Sequence, residues 1–71
     1  MDKELAKKVL PLVNDTDLYP VLLAYADSRI ETMRTYLETT KEHDKILEIQ
    51  GAIAELRRFK TLREQAIEGV K

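Results

Sequence analysis

The chain has 71 residues, with 12 basic and 13 acidic side chains, one histidine and no cysteine. Balanced charge argues against a dedicated nucleic-acid binder, whose usual footprint is a basic excess. The cysteine and histidine counts exclude disulfides, thiolate metal sites and His-rich metal sites.

A chain this short forms one domain at most, and a domain of about 60 residues buries only about 60% of its unfolded surface. Stability must come from helix packing, which association with another subunit would supplement. Apolar content is 44%, ordinary for a globular domain. The longest apolar run, VLLAYA (Val21–Ala26), is far too short to span a membrane. The first residues, MDKELAKK, lack the apolar core of a signal peptide. These features predict an intracellular, soluble protein that is not secreted by a signal peptide.

Residues 2–10 read as a short amphipathic helix. Asp2 and Glu4 lie early and Lys7 and Lys8 late, which suits the helix dipole, and Leu5, Val9 and Leu12 share one side. Pro11 disfavours helix at Leu10 and is expected to end it. The segment NDTD (Asn14–Asp17) follows as a turn, with Asp17 the expected cap of the next helix and Pro20 in its first turn.

From Leu18 to about Thr40 the apolar spacing is helical. Tyr19, Leu23, Ala26, Ile30, Met33 and Leu37 recur in alternating steps of four and three, a heptad seam. TTKEHD (Thr39–Asp44) reads as a tight polar connection, capped by Asp44 or Thr40. A second seam of Ile46, Ile49, Ile53, Leu56, Phe59 or Lys60, and Arg63 or Leu62 predicts a helix from 44 to about 68, with Gly69 as its stop.

A short connection makes the two long helices antiparallel neighbours. Leu37 then faces Ile46, Met33 faces Ile49, Ile30 faces Ile53, Ala26 faces Leu56 and Leu23 faces Phe59. In the same register Glu38 lies opposite Lys45, Arg34 opposite Glu48 and Arg29 opposite Glu55, each a pair of opposite charge. The expected fold is therefore all-α: a helical hairpin over 17–69, with residues 1–13 as an N-terminal helix and linker. That helix is expected to cover the open end against Leu22, Tyr25, Leu62 and Ile67.

Gly51 interrupts a strong helix, which costs about 1 kcal/mol relative to alanine. It shares a stripe with Leu47, Ala54 and Arg58 beside the seam. A small, flat strip suits close approach of another helix, either the N-terminal one or one from a second chain. Tyr25 and Tyr36, three turns apart, are candidate interface anchors with Leu22; alternatively each lies half-buried over its own hairpin.

Arg57, Arg58, Lys60 and Arg63 form the densest basic cluster, a candidate contact for phosphate or an acidic partner. The plainer reading is a solvated face whose cations pair with Asp27, Glu55 or Glu64. No Gly-rich phosphate loop or RNA-binding signature accompanies it. His43, between Glu42 and Asp44, has no further ligands at metal-binding spacing. No carboxylate lies in an apolar setting that would tune it for catalysis. No enzyme, cofactor or small-molecule substrate is expected.

The segment 27–65, DSRIETMRTYLETTKEHDKILEIQGAIAELRRFKTLREQ, resembles small helical-hairpin proteins encoded among the head and packaging genes of tailed bacteriophages. Those proteins show an arm like RIETLRxxLE, a polar turn and LQGxIxELRxL. Arg29–Glu31, Leu37–Glu38 and Ile49–Arg57 match the pattern, and Phe59-Lys60 departs from it. The resemblance implies a virion structural or assembly component, located in the virion or host cytoplasm and partnered by itself or other virion proteins. Two other functions stay open: an inhibitor or regulator that binds a host enzyme, and nucleic-acid contact through the basic cluster.

Overall fold

A computed structural model describes residues 1–71. The chain is all-α, with four helices: α1 (Lys3–Val13), α2 (Leu18–Thr39), α3 (His43–Phe59) and α4 (Leu62–Gly69).

α1 begins at Asp2, whose carboxylate accepts the Leu5 backbone N–H at 3.0 Å and satisfies one free donor of the first turn. It then continues past Pro11, where the sequence predicts an end. Pro11 has no N–H to give the preceding turn, but Asn14 N–H still reaches Leu10 O at 3.0 Å. Val13, buried against Tyr19 and Ala66, anchors the last turn. Tertiary burial offsets the local preference.

α2 is capped by Asp15 rather than by Asp17. One Asp15 carboxylate oxygen accepts the N–H groups of Asp17 and Leu18, at 2.9 and 2.8 Å. Asp17 itself makes no side-chain cap bond. At the other end the Thr40 hydroxyl bonds Tyr36 O, closing α2 rather than opening α3. α3 starts from Glu42 without a side-chain cap, so His43 lies in its first turn and not in the connection.

The arm expected to run unbroken from 44 to 68 is two helices. At the break, Thr61 N–H turns back to Arg58 O, and the Thr61 hydroxyl donates to the same oxygen at 2.7 Å. The Gln65 side-chain amide donates to Arg58 O and to Thr61 Oγ1. These bonds satisfy groups that a continuous helix would have paired internally. Gly69 is the last residue of α4, and no glycine has positive φ, so the helix ends without a left-handed stop.

α2 packs chiefly on α3, and α1 chiefly on α4. α1 therefore extends the first arm of the hairpin and α4 the second, with one break in each. The breaks lie side by side, and Tyr19 joins them. Its hydroxyl donates to Lys60 O at 3.4 Å and accepts the Arg63 N–H at 3.2 Å. Arg63 Nε reaches Asn14 Oδ1 across the same joint at 3.3 Å.

Around the joint Val13, Tyr19 and Ala66 form the core, bordered by Val9, Leu10, Leu23 and Leu62. Leu62 thus meets the cluster as expected, whereas Leu22 and Tyr25 remain exposed and are not covered by α1. Along the hairpin, Ala26, Ile30 and Ile53 are buried, while Leu23, Met33, Leu37, Ile46, Ile49 and Leu56 are half-buried. Phe59, read as the last seam residue, is 37% exposed.

The charge pairs expected across the hairpin do not form. Arg34 pairs with Glu31, Lys45 with Glu48 and Arg58 with Glu55, each one turn away on its own helix. The ion pair between the arms is Lys60 to Asp27, at 2.6 Å.

Candidate interaction surface

The molecule is thin. Its Cα atoms extend 43 × 25 × 12 Å, close to a single layer of helices. Only 7 of 71 residues are buried, and no large side chain is fully enclosed. A compact protein of 8.2 kDa exposes about 4,500 Å² by the scaling of surface with mass. This chain exposes 5359 Å². The difference, about 800 Å², is the area one partner contributes to an interface of standard size.

The exposed apolar side chains are not scattered. Successive helical residues are about 100° apart. On that geometry Leu18, Val21, Leu22, Tyr25 and Tyr36 fall within one arc of about 100° on α2. The arc lies about 110° around the helix from the buried Tyr19, Ala26 and Ile30. All five side chains are exposed, Tyr25 at 58% and Tyr36 at 54%. α2 thus carries two apolar faces, and the hairpin uses one.

Phe59 belongs to the second face. It lines a shallow hollow of about 290 Å³ with Leu22, Tyr25, Ala26 and Leu56, every member apolar. A second hollow on its other side is lined by Glu55, Leu56, Arg58, Phe59, Leu62 and Gln65. Phe59 forms a ridge between the two, where α3 ends. Phe59 follows Leu56 by three residues where the alternation of three and four calls for residue 60, so it lies about 100° around α3 from the seam.

The strip Leu47, Gly51 and Ala54 occupies a different place. It lies about 150° around α3 from the seam, on the outer side of the hairpin. All three residues are exposed, and a Cβ built on Gly51 meets nothing within 4 Å. The N-terminal helix does not approach it. The close-approach glycine is Gly69, where a Cβ would stand 2.7 Å from Ala6 Cβ and 3.3 Å from Met1 O. Ala6 and Ala66 are fully buried beside it. The signal was present in the sequence as small residues at 6, 66 and 69, spaced to meet if the two terminal helices pair.

The basic cluster is divided among its neighbours. Arg58 pairs with Glu55, Lys60 with Asp27, and Arg63 bonds Asn14. Arg57 alone of the four has no side-chain partner, and it shares the last turn of α3 with Arg58, where cations suit the dipole. The Asp15 carboxyl is held below the ordinary carboxylate value by the backbone N–H groups of Leu18 and Asp17. That effect belongs to the cap of α2. No three His, Asp or Glu side chains converge on a point, and no helix is long and apolar enough to cross a membrane.

Comparison with protein-family models, with curated proteins and with solved structures finds no match for this chain.

Proposed function

We propose that this chain is a non-enzymatic interaction module that works by helix packing and oligomerisation. The observation that supports this most is the second apolar face of α2, on a molecule exposing about 800 Å² more than a compact chain of its mass. A helix with apolar residues on two sides is suited to packing on two sides. Nothing in the chain covers the second one.

The proposed setting is the virion of a tailed bacteriophage, as a structural or assembly component. That part of the reading is supported by the sequence resemblance over Arg29–Glu31, Leu37–Glu38 and Ile49–Arg57 alone. A second reading draws on the same face. An exposed groove beside Leu22, Tyr25 and Phe59 also suits a helix from a foreign protein, as an inhibitor of a host enzyme would require. Nucleic-acid contact has less support, because three of the four cluster cations already have partners within the chain.

The deciding measurement is solution mass by light scattering over a range of concentrations. Self-association gives a defined multiple of 8.2 kDa. A mass of 8.2 kDa at every concentration would remove the oligomerisation reading and bring the foreign-partner reading forward.

A further inference from the structure

We infer that the second face of α2 is the contact of a two-fold symmetric dimer, in which α2 of one chain lies antiparallel against α2 of a second copy. This rests on the oligomerisation reading above and gives it a face, a direction and a register. The occupant is a second copy for three reasons.

The first is area. The chain as a whole exposes about 800 Å² more than a compact protein of its mass, and the apolar stripe of α2 is part of what that thin shape leaves open for a partner to cover. A two-fold contact draws the same patch from both chains, so one such patch suffices.

The second is the layout of the face. It runs from Leu18 to Tyr36, with large side chains at both ends. An antiparallel copy that overlaps the full stripe has its symmetry axis beside residue 27. Leu18 of each chain then meets Tyr36 of the other, and Leu22 meets Thr32. A parallel copy would set Tyr36 on Tyr36 and the tip of one hairpin on the tip of the other.

The third is charge. Arg29 is the one charged residue in the middle of the stripe, and it forms no ion pair within the chain. In the antiparallel register it falls opposite Tyr25 of the second copy, where a guanidinium can lie on an aromatic face. In a parallel register Arg29 would meet Arg29. The formal net charge of −1 opposes association very little.

The test exploits the absence of cysteine. Leu18→Cys, Tyr36→Cys and Gly51→Cys chains are made singly, treated with a short bis-maleimide alone and in equimolar mixture, and weighed untreated by light scattering. Leu18 and Tyr36 are more than half exposed, so the replacements leave the fold intact. The expected result is a mass of twice 8.2 kDa, with efficient cross-linking only when the Leu18→Cys and Tyr36→Cys chains are mixed. Tyr25→Glu should return the mass to that of one chain with an unchanged circular dichroism spectrum.

A dimer that cross-links through Gly51→Cys instead would overturn the assigned face and leave self-association standing. Leu18→Cys chains that link efficiently to one another would overturn the antiparallel direction. A single-chain mass at all concentrations would overturn this inference together with the reading it rests on.

Discussion

The two glycines stand in opposite environments although both lie in helices. Gly51 has open space where a side chain would go, and Gly69 has Ala6 against it at less than van der Waals distance. One substitution therefore has two signs. Gly51→Ala should raise stability by about 1 kcal/mol, the difference in helix propensity. Gly69→Ala must push α1 off α4 and should lower stability by about 1–3 kcal/mol, the usual cost of overpacking. Thermal unfolding of the two variants beside the parent chain checks both; a stabilised Gly69→Ala would show that the α1–α4 contact yields without cost. Local composition could not tell these residues apart. A mid-helix glycine attracts attention because it breaks a propensity rule, whereas a glycine near a helix end looks like an ordinary terminator. Only the pairing of residue 6 with residue 69, a contact between distant parts of the chain, reverses that order.

At the scale of the helices, the hairpin arms were legible from apolar spacing, because a heptad seam over 20 residues leaves few other arrangements. The ends were less so. Asp15 and Asp17 are both good caps by residue type, and choosing between them depends on backbone geometry that the sequence does not display. The choice has a testable consequence. Asp15→Ala should lower the melting temperature, and Asp17→Ala should not. The Asp15 carboxylate is held below its ordinary value of 3.8 by two backbone donors. A group whose folded value is depressed stabilises the fold when the pH is above its unfolded value, and that contribution disappears as pH falls through the folded one. The parent chain should thus lose its advantage over Asp15→Ala only below about pH 4, as melting curves across the acid range will show. An advantage that persists unchanged at lower pH would mean that the cap does not depend on charge. The break at Lys60–Thr61 carries no proline or glycine to announce it. Its one sequence trace is Thr61-Leu62-Arg63-Glu64, which has the form of a capping box; the Thr61 hydroxyl instead turns back onto Arg58 O.

Across the whole molecule, the excess surface follows from its thinness: the helices pair in one layer 12 Å deep with no third element packed over it. An unbroken pair of arms would be a plain rod, and a third layer would make a compact bundle. This chain does neither, and its radius of gyration is 14.8 Å where about 11 Å is usual for its length. The candidate face was half-legible in the sequence. Leu22, Tyr25 and Tyr36 stand out by type and spacing, but Leu18 and Val21 merge with the seam until the buried side of α2 is known. The strip at Leu47, Gly51 and Ala54 was equally visible and lies on the far side of α3.

The joint at Tyr19 also sets an order of events. α2 and α3 meet through a turn of three residues, so their contacts close early and at little entropic cost. α1 and α4 belong to opposite ends of the sequence and can meet only when that hairpin already exists. The terminal pair should therefore fasten last and open first, as a separate unit joined to the hairpin by the Tyr19 phenol and the small core around it. Native-state hydrogen exchange should show α1 and α4 amides opening together at lower free energy than those of α2 and α3. Tyr19→Phe, which leaves Lys60 O and the Arg63 N–H without their partner, should cost about 1–3 kcal/mol, concentrated in that terminal unit. Uniform exchange across all four helices would mean that the chain opens as one piece and that the phenol fastens nothing of its own.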